Sequence, residues 1–207
     1  MRLASLAMTA LLGLSLTSCK SKNEAGGAAQ VATGDWSVPS DVKLEGQPVT
    51  IAGVTFRTPS DWNDLGPSGM RKANYTYGPT GGDKDSATMA VFYFGQGQGG
   101  GIKDNIERWI NQMSLPDGSD PHVATTQSER TVDGMTVHWV ELAGTYSASM
   151  GGMMSGASEQ KTGYRMAAVV LEAPEGNLFF KLTGPDATAK EMIGAFKAMI
   201  LDIKKAN

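Results

Sequence analysis

The sequence predicts an α+β fold, a mostly antiparallel sheet with helices packed on it. Three observations lead there. Short β-branched and alternating runs recur between turn signals. Two of these runs are joined by Asp133-Gly134, a dipeptide that favours a tight hairpin. Apolar residues at helical spacing are confined to a stretch near 102–114 and to the chain after residue 184.

Taken in order, Val49 to Arg57 alternates, and Gly53 is placed for a turn or bulge inside it. Pro59 and Asp61 end that run. Arg71 to Tyr77 reads as a second strand, closed by a turn over Gly78 to Asp85. Ala87 to Phe94 has little polar character and reads as a central strand covered on both faces. A glycine loop, Gly95 to Gly101, leads into a helix over Ile102 to Ser114, with Ile102, Ile106, Trp109, Ile110 and Met113 on its apolar face. Asp104 falls in its first turn, where the helix dipole favours a carboxylate. Leu115-Pro116-Asp117-Gly118 stops it.

Val123 to Arg130 and Met135 to Tyr146 then pair around Asp133-Gly134. A loop rich in Gly, Ser and Met is expected from Ser147 to Gly163. Tyr164 to Glu172 and Asn177 to Thr183 form another hairpin, turning at Ala173-Pro174-Glu175-Gly176. The last helix opens either with Pro185 at its first position or at the capping box Thr188-Ala189-Lys190-Glu191. Met192, Ile193, Phe196, Ile200 and Ile203 form its buried stripe, while Lys197, Lys204 and Lys205 face water.

The chain has 207 residues and a formal net charge of −3, which argues against a general nucleic-acid or anionic-lipid binder. Arg2, an apolar stretch from Leu3 to Leu16 and the small residues Thr17-Ser18 precede Cys19, the sole cysteine. The apolar run is too short to span a bilayer as a helix. In its order of charge, apolar core and small residues the segment resembles a bacterial lipoprotein signal with its lipobox. That resemblance implies lipidation of Cys19 and removal of residues 1–18. It also implies a protein of the cell envelope held by its lipid, each buried CH₂ of which contributes about 0.8 kcal/mol. Residues 19–47 read as a flexible tether, polar and then Gly/Ala-rich, and residues 48–207 as one globular domain. Trp36 is the exception in the tether, suited to docking on the domain or to sitting at the lipid interface. Lys20 follows the cysteine in place of an inner-membrane retention aspartate, which points to an outer membrane facing the periplasm.

Three stretches carry a second resemblance, to the PsbP-like fold. They are Gly53 to Trp62 with its Pro-x-x-Trp turn, the strand–loop–helix from Ala87 to Ser114, and the closing hairpin and helix from Tyr164 to Lys205. The resemblance implies an α/β/α sandwich around an antiparallel sheet. It carries no functional residue onto this chain, since one fold hosts many functions.

Chemistry is sparse. Gly95-Gln96-Gly97-Gln98-Gly99-Gly100 matches G-x-G-x-x-G between a strand and a helix. Antiparallel hairpins on both sides exclude a Rossmann site, leaving a strand-to-helix loop in which Gly95, Gly97, Gly99 and Gly100 could meet an anion or a partner's backbone. Met150, Met153 and Met154 are soft ligands suited to Cu(I), with His122 and His138 as candidate additions, or else they form a hairpin tip or an adaptable apolar surface. His138 reads as a solvated or hydrogen-bonded strand histidine. Arg108 and Gln112 lie on the polar side of the first helix, where they form a solvated face or reach a ligand near the glycine loop. No activated serine, nucleophile elbow or metal-ligand spacing accompanies these residues. The expectation is therefore a non-enzymatic, lipid-anchored binding or assembly module with no cofactor, partnered by the membrane through Cys19 and by another envelope protein. The alternative is copper handling by the methionine loop.

Overall fold

The computed structural model describes residues 34–149 and 158–206. Cys19, the leader, the spacer up to residue 33 and the loop of Met150, Met153 and Met154 lie outside them.

Strands β1 (Val49–Ile51) and β2 (Val54–Phe56) form the first hairpin, with Ala52 and Gly53 at positive φ in its turn. A short β3 (Asn63–Asp64) precedes β4 (Arg71–Tyr77) and β5 (Ala87–Tyr93). Helix α1 (Ile102–Ile110) follows the glycine loop, and β6 (Met113–Ser114) follows the helix. A 3₁₀ turn at Pro121–Ala124 leads to β7 (Thr126–Val132), β8 (Met135–Ser149), β9 (Ser158–Ala173) and β10 (Gly176–Pro185). Helix α2 (Asp186–Asp202) and β11 (Lys204–Lys205) close the chain.

The main sheet is antiparallel at every pairing, in the order β3-β4-β5-β10-β9-β8-β6, with β7 also on β8. β1, β2 and β11 form a second, small sheet. Side chains alternate across a strand, and here both faces are used. One face presents Met89, Val91, Trp139, Val169, Leu171, Phe180 and Leu182 to Met192, Phe196, Met199 and Ile200 of α2. The other presents Val140, Leu142, Met166, Ala168, Val170 and Phe179 to Ile106, Trp109 and Ile110 of α1. The result is a mostly antiparallel α+β fold with a helix on each face, the α/β/α arrangement that the PsbP-like resemblance implies.

Several expectations change in detail. Helix α1 stops at Ile110, since Met113 and Ser114 leave it to pair with Tyr146 and Thr145. The hairpin of β8 and β9 runs on to Ser149↔Ser158, through residues expected in a loop. Ladder hydrogen bonds come from the backbone, so the polar run Ser147, Glu159 and Gln160 pairs without an apolar pattern to announce it. Pro185 caps α2 and lies outside its first turn. Lys204 and Lys205 do not extend the helix. They pair with Thr55 and Val54 of β2, and Ala206 N–H donates to Gly53 O at 2.9 Å.

Residues 34–47, expected as spacer, have packing of their own. The Trp36 ring lies 5.3 Å from Trp139, edge to face, and Arg130 sits 5.8 Å above the Trp36 ring. Lys197 Nζ donates to Asp35 O at 2.6 Å, and Gly46 N–H donates to Thr58 O at 2.8 Å. Leu44 packs against the α2-side core. Of the two placements open to Trp36, the structure takes docking on the domain.

Candidate functional site: an acid-free cationic cluster on the α1 side

β10 reads Leu178-Phe179-Phe180-Lys181-Leu182, one lysine in a run whose other members are all buried. Alternation sends Phe180 and Leu182 to the α2 side, and Phe179 and Lys181 to the α1 side. In register, Lys181 stands between Ala90 of β5 and Ala168 of β9, and Asn74 of β4 lies beyond Ala90 in the same row. Both immediate neighbours are methyl groups, which leaves room above them for long side chains.

The Lys181 ammonium donates to Gln112 Oε1 and to the Tyr146 hydroxyl at 3.4 Å, and it lies 4.9 Å from the Tyr146 ring centre. The Gln112 backbone is anchored, its main-chain carbonyl accepting Ser147 N–H at 2.8 Å. Burial first, and the nearby Arg108 charge second, lower the Lys181 pKa to about 7. Burial also raises the pKa of Tyr146.

Two arginines join the lysine. Arg108 Nη2 donates to Asn105 Oδ1, and the buried Asn105 amide donates to Gly99 O at 2.9 Å and Gly101 O at 2.8 Å. Arg71 Nη1 donates to Oδ1 of the buried Asn74 at 3.1 Å. Among the described residues, none of Lys181, Arg108 and Arg71 has a carboxylate oxygen within 4.0 Å. Three other Lys and Arg side chains among the described residues do: Arg165 reaches Glu141 at 2.7 Å and Asp186 at 2.8 Å, Lys190 reaches Asp186 at 2.6 Å, and Lys161 reaches Glu159 at 3.6 Å. What sets Lys181 apart is its burial, which exposed cations without a carboxylate do not share. Stacked aromatic pairs belong to the same face, Tyr146 on Tyr164 at 6.4 Å and Phe92 on Phe94 at 6.4 Å.

Of the sequence candidates, Arg108 and Gln112 are brought to this cluster. Gly95, Gly97, Gly99 and Gly100 all hold positive φ. At Gly99 a Cβ would fall 2.8 Å from Phe179 and from Phe94, so the loop lies tightly on the α1-side core there. The loop carbonyls at Gly99 and Gly101 are occupied by the helix's own Asn105. His138 is held between two carboxylates, Glu129 at 2.9 Å and Glu172 at 2.8 Å. His122 is held likewise, by Asp120 at 2.6 Å and Glu107 at 2.8 Å, and those hydrogen bonds, Glu107's first, raise its pKa. Among the described residues no group of His, Cys, Asp and Glu is placed to hold a metal ion. A separate groove, between residues 39–43, the Pro59–Trp62 turn and α2, mixes both signs of charge: Lys43 with Asp41, Asp61 and Glu191.

Lys181, Arg71 and Asn74 were not among the sequence candidates. The signal for Lys181 was present: a charge interrupting an apolar strand must find polar company or lose its charge. Arg71 and Asn74 gave none, because their row is defined only once β4, β5 and β10 are in register.

No protein-family profile and no curated protein matches the chain. Among solved structures, the chain is similar to LpqN of Mycobacterium tuberculosis, described as involved in cell envelope biogenesis. Identity is 15% over 79% of this chain and 86% of that one, with a TM-score of 0.46. It is similar also to cyanobacterial PsbP from Synechocystis sp. PCC 6803, at 11% identity over 82% of this chain and 97% of that one, TM-score 0.46. A Bacteroides thetaiotaomicron VPI-5482 protein matches at 12% identity over 79% of this chain and half of its own length, TM-score 0.37.

Proposed function

We propose that this chain is a non-enzymatic binding module outside the cytoplasm, held at a membrane through lipid on Cys19, with the α1 side of the sheet as its binding face. The acid-free cluster of Lys181, Arg108 and Arg71 carries the binding part of this reading. A buried cation such as Lys181 is costly to fold without a counter-charge, and a ligand drawn by it and by the exposed Arg108 and Arg71 can supply one. Binding without turnover fits the two histidines. Each has both ring nitrogens engaged by carboxylates, so neither has a nitrogen free to take a proton from a substrate. The anchor rests on Leu16-Thr17-Ser18-Cys19, and Lys20 favours an outer membrane.

The test is metabolic labelling with a clickable fatty acid, in wild type and in Cys19→Ala. The wild-type chain is expected to carry label and to sediment with membranes, and the variant to do neither. An unlabelled wild-type chain would remove the anchor from this reading.

A further inference from the structure

We propose that Lys181, Arg108 and Arg71 form a receptor for a tetrahedral oxyanion of the phosphate or sulfate class, seated on the α1 side of the sheet. This rests on the reading of that face as the binding face. It names the ligand chemistry.

Acid is not scarce in the chain, yet among the described residues none lies within 4.0 Å of the largely buried Lys181. The chain carries 21 Asp and Glu against 18 Lys and Arg. Arg165, Lys190 and Lys161 each find a carboxylate within 3.6 Å. At the cluster the partners are neutral instead: Gln112, Tyr146, Asn74 and Asn105. Amides that accept one N–H from each arginine fix its orientation, and among the described residues the other guanidinium donors are left unspent. Tyr146 accepts from Lys181, so its O–H proton remains to be donated. Donors from β4, β8, β10 and α1 thus stand on one face. A tetrahedral oxyanion, with an oxygen toward each of several directions, uses such a set, and guanidinium groups bind it by paired charge-assisted hydrogen bonds. The stacked Phe92 and Phe94 beside the site would accept an apolar or aromatic extension of the ligand.

The lowered pKa of Lys181 adds a pH signature. The charged or titratable groups around Lys181 are Arg108 of α1, Tyr146 of β8, Tyr164 and Lys161 of β9 and Arg71 of β4. The carboxylates in that neighbourhood are already engaged, Asp85 by the Tyr164 hydroxyl at 3.2 Å and Glu159 by Lys161 at 3.6 Å. A bound anion favours the protonated amine. Binding therefore takes up a proton above about pH 7, and affinity falls as pH rises.

The experiment is calorimetric titration of the full Cys19→Ala chain in neutral detergent. The probes are inorganic sulfate and phosphatidylglycerol doped into the same micelles, neither of which changes charge between about pH 6.5 and 8.5. Expected is saturable binding that weakens by about tenfold across that range and by at least about tenfold in Lys181→Met and in the exposed Arg71→Gln. Much tighter binding of the lipid than of sulfate makes a headgroup the ligand, and comparable binding makes it a free oxyanion. No heat with either probe, or binding unchanged in both folded variants, overturns the proposal. Because the chain tested lacks Cys19, failure here leaves the lipid anchor untouched.

Discussion

Lys181 is a lysine whose burial the fold must offset. Its pKa of about 7 lies well below that of an exposed lysine, so the unfolded chain binds the proton more tightly than the folded one. The sign follows. Between about pH 7 and 10 the unfolded state holds the extra proton, and stability rises with pH; below about pH 7 the penalty is complete. Lys181→Met should therefore raise unfolding free energy near neutral pH by about 1–4 kcal/mol, and the gain should shrink as pH climbs toward 10. Urea melts of both chains at several pH values measure this. A variant less stable than wild type would mean that the contacts with Gln112 and Tyr146 outweigh desolvation. The sequence displayed this residue, since Leu178-Phe179-Phe180-Lys181-Leu182 is apolar on both sides of one charge. What it could not display was the company: Gln112 and Tyr146 are 69 and 35 residues away along the chain.

Among elements, α1 depends on packing more than on its own ends. It has nine residues, no side-chain N-cap, and a loop of positive-φ glycines before it. Its inner face is secured by Ile106, Trp109 and Ile110, and its outer side by Glu107, which takes a hydrogen bond from His122 in the 3₁₀ turn. The pKa of His122 is raised by that bond and by Asp120, so this clasp stabilises fully below the unfolded value near 6.5 and is lost as pH rises through the folded value. An NMR titration of the imidazole should show an elevated pKa in wild type and a return toward 6.5 in Glu107→Gln. Equal values in the two chains would remove the clasp. The periodicity of α1 was legible in its apolar stripe, but its end was not. Met113 continues the stripe and is buried as the stripe requires, yet it sits in β6, because pairing with Tyr146 competes with one more helical turn.

For the molecule as a whole, the order of strands and helices was readable where a hairpin carried its own turn chemistry, as between β7 and β8. Asp133 and Gly134, at φ of 48° and 72°, occupy the left-handed conformations that Asp-Gly foretells. Composition was a poorer guide at the amino-terminal end. Residues 34–47 contain few apolar side chains, but Trp36 alone brings a large ring to Trp139, in reach of Arg130. Packing of this kind makes the folded unit larger than its strand pattern suggests. Trp36→Ala should lower unfolding free energy by about 1–3 kcal/mol in denaturant melts, whereas a loosely held segment would leave the midpoint unchanged.

The β8–β9 hairpin has a further consequence. Past Tyr146, the described residues continue the ladder from Ser147↔Gln160 through Ala148↔Glu159 to Ser149↔Ser158, and Ser147 N–H also donates to the Gln112 main-chain carbonyl at 2.8 Å. Among the described residues, neither core includes Ser147, Ala148, Glu159 or Gln160. Exchange of an outer pair such as Ala148 and Glu159 therefore leaves both cores untouched, while Tyr146 and Tyr164 nearer the root keep their stacked place beside the Lys181 cluster.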